Sequence, residues 1–382
     1  MSALFDNSQD NCGPKKIVVL TSHIFLPDFR KASVHFVSQS WAEMGHDVTF
    51  LTVGHSWLTL IKQPQRFKAL CTLPAGRLTE IAPRLRTGAY LPLVHGFSSR
   101  KAAVNAVMRP LFRHYGKRLP RFARDEIIAA DVIVFESGTA IVFTEFVRQL
   151  NPRARTLYFC RDLLHSVGAA PMLQAIEREQ IGRFDSICVP AASLGRMLPP
   201  GGRVHVIPQG VDTALFDRAN TSPYPDGTRN AVAVGDMLFD QASVEALAAA
   251  APEITFHLFG INWRDRVPEN VTLHGEQSFQ TIVPYIRHAD IGLAPYRMSE
   301  REVYLAESSL KLRQYAYCRL PVLLPDIIPA LRGNEIRYAA DGETDWRGRI
   351  DAALAMPRLE AFKDGILHWD GIAAETLKTL PH

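Results

Sequence analysis

Short apolar runs alternate with stretches of helical periodicity in the first fifty residues. Ile17–Thr21 is a continuous apolar run, typical of a buried parallel strand. In Ala32–Met44 the apolar positions recur at helical spacing, and Gly45 stands where a helix end favours a left-handed residue. Asp47–Val53 has the pattern of a second strand. This strand–helix–strand order predicts the opening of a doubly wound α/β domain.

The same rhythm continues along the chain and is interrupted once. Residues 208–230 contain three Pro and two Gly without a periodic face, which predicts an interdomain linker. Before this break, strands are predicted at Asp131–Phe135, Arg155–Phe159, Ser186–Val189 and Val204–Ile207. After it, strands are predicted at Ala231–Val234, Thr255–Phe259, Val271–Leu273, Ile291–Ala294 and Val322–Leu324. Helices are predicted at Ser243–Ala250, Phe279–His288 and Ser308–Tyr317.

The pattern therefore predicts an α/β protein with two doubly wound, Rossmann-like domains whose sheet ends face a ligand cleft. We expect the first domain to cover residues 1–208, the linker 209–230 and the second domain 231–355. Residues 356–382 have a helical pattern and no strand partner. We expect this last segment to pack back on the first domain.

The composition is that of a soluble globular protein, with 47% apolar and 21% charged residues in 382. It excludes a disordered tail, a collagen-like rod and a small disulfide scaffold. The five cysteines are scattered without C-x-x-C spacing, as in reduced cytosolic proteins. Met1–Pro14 lacks the apolar segment of a signal peptide, and Val132–Val147 is too short and too charged to cross a bilayer. We expect a protein that stays in the cytoplasm.

Positive charge is concentrated in one segment. Arg84–Arg124 contains ten Lys or Arg and no acid, although the net charge of the chain is only +4. Its apolar residues recur at helical spacing over 104–115. Such a helix can lie on anionic lipid, but it can also be a solvated face over a buried stripe, or a nucleic-acid patch. The basic residues assigned to the membrane or acceptor side are Arg100, Lys101, Arg109, Arg113, Lys117, Arg118 and Arg121.

Several catalytic motifs are missing from the sequence. No G-x-G-x-x-G follows the first strand and no G-x-x-x-x-G-K-[ST] occurs, which argues against dinucleotide oxidoreductases and P-loop enzymes. No D-x-D motif suggests a metal-bridged nucleotide-sugar site. We therefore expect any bound nucleotide diphosphate to be held without a metal.

The best phosphate candidate lies at the start of a predicted helix in the second half. Lys311 offers a full charge, Ser308 and Ser309 offer hydroxyl donors, and helix N-termini favour anions. The alternative is a capped surface helix with a solvated lysine. Gly235 ends another strand, where it allows close approach of a ligand or simply forms a turn.

Three polar residues follow predicted strands of the first half. Asp162 comes after Arg155–Phe159 and could accept a proton from an attacking hydroxyl, or it could cap the next helix. Glu136 stands at an equivalent strand end with the same two readings. His23 could bind a ligand or satisfy the loop backbone.

Longer motifs carry a resemblance to a known class of enzymes. Gly45–Thr49 (GHDVT), Ser309–Leu312 (SLKL) and Leu320–Val322 (LPV) look like GT-B glycosyltransferases. A closer resemblance is to the GumK family of membrane-associated glucuronosyltransferases of xanthan-type assembly. It rests on DVIVFESG (Asp131–Gly138), AVAVGDMLFD (Ala231–Asp240), TFHLFG (Thr255–Gly260), GLAPY (Gly292–Tyr296) and VYLAESSLKLRQY (Val303–Tyr315).

The resemblance implies a GT-B fold, with acceptor and membrane binding in the first domain and donor binding in the second. It implies an inverting transfer of glucuronate from UDP-glucuronate to a polyprenyl-diphosphate-linked, mannose-terminated oligosaccharide. No metal or cofactor and no nucleic acid would be involved. The enzyme would be a peripheral protein on the cytoplasmic face of the inner membrane, working in exopolysaccharide biosynthesis.

The family's site residues fall on matching positions of this chain. Asp162 takes the position of the catalytic base and Lys311 that of the phosphate-binding lysine. The other donor-site positions are Met237, Glu276, Tyr296, Leu310, Gln314, Asp236 and Gln277, with Ser309 beside them. Asp236 replaces a serine of the family, and Gln277 and Leu310 replace methionines.

Two other functions fit the same sequence. One is a GT-B transferase for another nucleotide sugar, such as UDP-glucose or GDP-mannose. The other is a non-catalytic protein that binds a nucleotide sugar.

Overall fold

The computed structural model describes residues 13–26, 31–96, 101–339 and 344–381. The chain forms two compact units. The first comprises the described residues up to Ile207 and those from Ala373 onward, and the second comprises Pro208–Ile372. The first unit is thus built from two separate parts of the chain.

The first unit contains an eight-stranded sheet in the order β3-β4-β2-β1-β5-β6-β7-β8. All neighbours are parallel except β3 and β4. The central strands β1 and β5 are the predicted apolar runs, and their side chains are buried on both faces, as a covered parallel sheet requires. The strands are β1 Lys16–Thr21, β2 Asp47–Thr52, β3 Thr79–Ala82, β4 Leu85–Ala89, β5 Val132–Glu136, β6 Arg155–Phe159, β7 Ser186–Val189 and β8 Val204–Val206.

Helices join successive strands of this unit. The predicted helix after β1 is confirmed, and Gly45 follows it in the left-handed region at φ +94°. The α-helices are α1 Ser33–Glu43, α2 Thr59–Lys62, α3 Pro64–Thr72, α4 Ala102–Tyr115, α5 Arg121–Ala129, α6 Thr144–Leu150, α7 Pro171–Gln180 and α8 Ala192–Met197. Short 3₁₀ turns lie at Thr139–Phe143 and Ile181–Arg183.

The second unit contains a six-stranded parallel sheet in the order β11-β10-β9-β12-β13-β14. All five strands predicted in this half are confirmed. The strands are β9 Arg229–Val234, β10 Ile254–Phe259, β11 Val271–Gly275, β12 Ile291–Leu293, β13 Val322–Pro325 and β14 Glu335–Tyr338. The helices are α9 Thr213–Arg218, α10 Gln241–Ala250, α11 Phe279–His288, α12 Val303–Glu307, α13 Leu310–Tyr317 and α14 Trp346–Ala355, with 3₁₀ turns at Glu300–Glu302 and Glu360–Lys363.

The segment between the two predicted domains has structure of its own. Helix α9 lies within it, and the side chain of Asp212 accepts a hydrogen bond from the backbone N–H of Leu215 at the start of that helix. Phe216 is fully buried in the core of the second unit. Residues 209–230 therefore contribute to the packing of that unit.

The last helix, α15 (Trp369–Lys378), carries the chain back to the first unit. The indole N–H of Trp41 in α1 donates to the carbonyl of Ala373, at 2.9 Å. The Ser186 hydroxyl of β7 bonds to that of Thr379, at 2.6 Å. The end of the chain is therefore part of the first unit's interior.

Each sheet has one point where the strand order reverses, between β1 and β5 and between β9 and β12. The carboxyl ends of strands beside such a point are the usual ligand-binding position of doubly wound sheets. The candidate residues lie at these two edges.

Candidate active site

The edge of the first unit brings together polar residues from three neighbouring strands. Thr21 ends β1, and His23 follows it two residues later. Glu136 ends β5, and Asp162 follows β6 by three residues. The three parallel strands are adjacent, so their carboxyl ends meet at one edge of the sheet.

Glu136 is a buried carboxyl, 6% exposed. The Thr21 hydroxyl donates a hydrogen bond to its Oε2, and Nε2 of His23 lies 3.5 Å from its Oε1. The pKa of Glu136 is raised to about 8, mainly by burial; the charge of Asp162 adds to this shift, and the Thr21 bond and Arg161 oppose it. Glu136 caps no helix, since it ends a strand and its side chain turns into this cluster.

The loop carrying His23 is fixed by hydrogen bonds. The backbone N–H of His23 donates to Oγ1 of Thr21, at 3.0 Å, and its carbonyl accepts from the Thr52 hydroxyl, at 2.8 Å. The imidazole is directed to Glu136, so the reading in which His23 only satisfies the loop backbone is incomplete.

Asp162 does not cap a helix. The next helix, α7, begins at Pro171 with Ala170 as its N-cap. The Asp162 side chain is exposed at the sheet edge, yet neighbouring protein atoms displace enough water to raise its pKa. His23 and Arg161 oppose that shift with positive charge. A carboxylate with a raised pKa at a ligand-facing edge is suited to accept a proton.

Arg161 is a functional candidate that the sequence reasoning missed. It is 7% exposed, its guanidinium lies 3.7 Å from the centre of the Phe159 ring, and its Nη1 donates to the carbonyl of Ile207. Within the described residues its Nε and Nη2 have no hydrogen-bond partner. Burial lowers its pKa to about 10, so it remains charged at neutral pH beside Glu136 and Asp162. An arginine directly after a buried strand was the signal available in the sequence.

In the second unit, Lys311 lies beside Tyr296. Its Nζ is 4.5 Å from the centre of the Tyr296 ring, a cation–π contact. The Tyr296 hydroxyl is hydrogen-bonded to Ser309, at 2.9 Å. Tyr296 follows β12, while Ser309 and Lys311 lie at the beginning of α13. Three predicted donor residues are therefore brought together.

The predicted helix over Ser308–Tyr317 is confirmed as α13, and a break separates it from a short helix that precedes it. α12 ends at Glu307 and α13 begins at Leu310, with Ser309 as its N-cap. Ser309 makes no side-chain cap bond, because its hydroxyl is bonded to Tyr296 instead. The Ser309 side chain therefore does not accept a hydrogen bond from the first turn of α13, whose N-terminus is the end of a helix that favours anions.

Tyr315 fixes α13 on the sheet. Its buried hydroxyl donates to the carbonyls of Val232 and Leu293, at 3.2 and 3.3 Å. Gly292 in β12 makes room for the ring, since a Cβ there would lie 2.8 Å from it. These contacts hold α13 against β9 and β12, the two strands between which the strand order reverses.

The loop after β9 carries two more predicted residues. Both carboxylate oxygens of Asp236 accept hydrogen bonds from Asn262, one from its backbone N–H and one from its side-chain amide. Met237 is 65% exposed. The N–H of Asp240 donates to the carbonyl of Pro295, at 2.7 Å, which connects this loop to the one bearing Tyr296. Asn262 was not foreseen from the sequence.

The remaining donor candidates are less closely grouped. Gln314 is buried on α13, one turn beyond Leu310, which is half-buried. Glu276 and Gln277 follow β11 at the outer edge of the sheet and are exposed. The Gln277 amide donates to the carbonyl of His274, at 3.0 Å.

Helix α4 carries the basic segment of the first unit. Phe112 and Tyr115 are its buried residues, and Val107 is exposed. Arg100 lies outside the described residues. The other assigned basic residues are exposed: Lys101, Arg109, Arg113, Lys117, Arg118 and Arg121.

The described residues contain neither a metal-binding cluster nor a helix that could span a membrane. Among residues 13–26, 31–96, 101–339 and 344–381, no group of three or more His, Cys, Asp or Glu side chains is arranged to hold a metal ion. Over the same ranges, no helix combines the length and apolar character that crossing a bilayer demands.

Solved structures of similar fold include glycosyltransferases. The Anabaena protein HepE in complex with UDP and glucose has a TM-score of 0.59 at 13% identity, covering 96% of this chain and all of that one. A UDP-forming trehalose-phosphate synthase from Burkholderia xenovorans has a TM-score of 0.58 at 10% identity, covering 95% and 99%. At these identities the likeness concerns the fold, which is GT-B as predicted.

Sequence comparison identifies the family. Residues 19–190 match the family described as "Glucuronosyltransferase GumK, N-terminal domain". The UDP-glucuronate:glycolipid 2-beta-glucuronosyltransferase of Xanthomonas campestris pv. campestris is 30% identical over 347 residues, which cover 90% of this chain and 84% of that enzyme. The chain therefore belongs to the GumK family of GT-B glycosyltransferases.

Proposed function

We propose that this enzyme transfers glucuronate from UDP-glucuronate to a lipid-linked oligosaccharide ending in mannose, with inversion and without a metal. The observation that carries the proposal is the pairing of Lys311 with Tyr296 and Ser309 at the start of α13. The relative of known activity uses UDP-glucuronate and a glycolipid.

Lys311 and the first N–H groups of α13 would bind the diphosphate of UDP. A lysine ammonium and a helix N-terminus both stabilise negative charge that develops on a leaving phosphate. Both carboxylate oxygens of Asp236 accept hydrogen bonds from Asn262, which fixes the orientation of this carboxylate. Met237, Glu276, Gln277, Leu310 and Gln314 would contact the rest of the donor.

Asp162 would act as the general base. It accepts the proton of the acceptor hydroxyl while that oxygen attacks the anomeric carbon and the bond to UDP breaks. The single displacement inverts the configuration at that carbon. A carboxylate whose pKa is raised by desolvation is well matched to this step.

We further propose that the first unit binds the cytoplasmic face of the inner membrane, where the lipid-linked acceptor is found. Exposed apolar side chains accompany the basic residues of α4. Trp57 in the loop after β2 donates its backbone N–H to the carbonyl of Pro92, and the ring of His95 lies 5.9 Å from that of Tyr115 in α4. The exposed apolar residues on these connected segments are Trp57, Leu60, Ile61, Leu93, Val94 and Val107.

Substitution of Asp162 tests the reaction. We expect Asp162→Asn to lower transfer from UDP-glucuronate at least about a hundredfold, the usual contribution of a general base. Its affinity for UDP-glucuronate, measured by calorimetry in EDTA, should equal that of the wild type. The matched control is Asp47→Asn, since Asp47 begins β2 at the opposite edge of the same sheet.

The outcomes separate the alternatives. Equal binding of UDP-glucose or GDP-mannose would redirect the proposal to another nucleotide sugar. Binding of UDP-glucuronate with no transfer by the wild-type enzyme to a mannose-terminated glycolipid in vesicles would favour a non-catalytic binding protein. Wild-type transfer rates in Asp162→Asn would refute Asp162 as the base.

A further inference from the structure

Glu136 and His23 form a pair that the reaction described above does not use. The carboxyl of Glu136 is buried, and its two oxygens have different neighbours. The Thr21 hydroxyl donates to Oε2, and the His23 imidazole faces Oε1 at 3.5 Å. Thr21 also accepts the backbone N–H of His23, so the two side chains are held together by one residue.

A buried carboxyl of this kind is ionised near neutral pH only when a cation lies beside it. Its pKa is raised to about 8, mainly by burial. The imidazole of His23 can supply that cation by taking up a proton, and two groups so close exchange protons as a pair. The pair then shares one proton, and a carboxylate faces an imidazolium when that proton lies on His23.

The other charged groups around His23 can be named. Arg161 and Asp162 approach from the loop after β6, and both are electrostatically coupled to Glu136. His35 of α1 has its ring centre 5.4 Å from that of His23, and His55 bonds through Nε2 to the carbonyl of Ser22. Burial lowers the pKa of both, that of His35 to about 4, so neither adds positive charge at neutral pH. The positive charge of Arg161 is the same throughout the neutral pH range, whereas the charge of His23 depends on whether its imidazole is protonated.

We propose that Glu136 and His23 are positioning residues: the buried carboxylate holds a proton on His23, and the resulting imidazolium keeps Asp162 ionised. The inference rests on the proposed role of Asp162 as the base. It gives a function to a buried carboxyl at the sheet edge.

The test is the pH dependence of transfer. In Glu136→Gln the imidazolium of His23 loses its partner and gives up its proton at lower pH. Asp162 then lies beside a neutral ring and is protonated at higher pH. On the acid limb of the pH profile, kcat/KM falls as Asp162 becomes protonated. We expect the pH at which this fall occurs to rise by about one unit, the usual effect of losing a nearby opposite charge. At pH values below this fall, Glu136→Gln should therefore be about tenfold slower than the wild type, and at high pH the two rates should differ little.

Three further variants make the result specific. His23→Gln should move the acid limb by the same amount, and the double variant should move it no further. Glu177→Gln is the matched control, because Glu177 is also a buried carboxyl of this unit but bonds to the Tyr158 hydroxyl. It should leave the limb unchanged. Thermal melting of the first unit shows which variants are folded, because all of these substitutions lie in that unit.

A readout without turnover separates this inference from the proposed function. The ionisation of Asp162 can be followed by carbon NMR of aspartate-labelled protein, assigned by difference with Asp162→Asn. The signal should titrate at higher pH in Glu136→Gln than in the wild type, even if no acceptor is ever turned over. An unchanged titration of Asp162 would overturn the inference. So would a loss of rate in Glu136→Gln that is equal at every pH.

Discussion

The contact between Lys311 and Tyr296 fixes the position of a positive charge beside the start of α13. The ring lies beneath the ammonium at 4.5 Å, and the same tyrosine occupies the hydroxyl of Ser309. The aromatic ring therefore directs the lysine and leaves the start of α13 without its side-chain cap. A charge held in place before the ligand arrives costs little ordering when the ligand binds.

We predict that Lys311→Ala weakens UDP binding about tenfold to a hundredfold, the range of one hydrogen bond to a charged group. Calorimetry with UDP measures the effect. Lys363→Ala is the matched control, since Lys363 lies 5.1 Å from the ring of Tyr317 in the same unit but away from the strand-order reversal. Equal affinities of wild type and Lys311→Ala would remove Lys311 from the phosphate site.

The sequence reaches only part of this detail. Asp162 and Lys311 could be singled out because each follows a strand or begins a helix, and such positions are visible in the hydrophobic pattern. The pairing of Glu136 with His23 could not be predicted, since it joins residues 113 positions apart through the adjacency of β1 and β5. The bonds of Asn262 to Asp236 depend in the same way on neighbouring strands.

Among the elements, central strands were predictable and edge elements were not. β1 and β5 are buried on both faces, so their sequences are continuous apolar runs. β3 is the edge strand of the first sheet and β4 is its neighbour, and β3 is only partly buried and contains Glu80. Their sequences lack both a continuous run and a clean alternation, because an edge strand needs neither. The break between α12 and α13 could not be predicted either, because the hydrophobic pattern of the sequence does not mark it.

Helix α4 and its neighbouring loops give an element-level prediction. Replacing Arg109, Arg113 and Lys117 together by Ser should weaken binding to anionic vesicles about a hundredfold, at about 1 kcal/mol per basic residue. Flotation with phosphatidylglycerol vesicles at low and high salt measures the effect.

The control for that experiment removes the same charge from the second unit. Arg218, Arg264 and Arg266 are exposed there, and their joint replacement by Ser should leave flotation unchanged. Competition by duplex DNA at equal charge concentration would instead indicate the nucleic-acid patch, and equal loss in both triple variants would indicate a general charge effect.

For the whole molecule, buried histidines make stability sensitive to acid. Burial lowers the pKa of His257 in the second unit to about 4, and of His35 in the first unit equally. The unfolded chain binds these protons near pH 6.5, so protonation favours unfolding. The contribution of each histidine to the free energy of unfolding is therefore present above about pH 6.5 and is lost as the pH drops toward 4.

We predict that the melting temperature falls between pH 7 and pH 5, and that His257→Gln reduces this fall for the second unit. His257 lies 3.0 Å from His274, so protonation of both rings is disfavoured, and glutamine removes one of them. Scanning calorimetry at the two pH values measures the change. His114→Gln, at an exposed position of α4, should behave as wild type. If the melting temperature of the second unit depended on pH identically in the wild type and in His257→Gln, His257 would not be a source of the acid sensitivity.

The return of α15 to the first unit bears on how the protein is made. The ribosome completes residues up to Ile207 early, but the carbonyl of Ala373 that accepts the Trp41 indole N–H emerges only after the whole second unit. Until then the indole N–H of Trp41 and the hydroxyl of Ser186 lack the partners that they have in the complete structure. The first unit to leave the ribosome is therefore the last to be finished. Its last contacts are made only after the second unit has been translated.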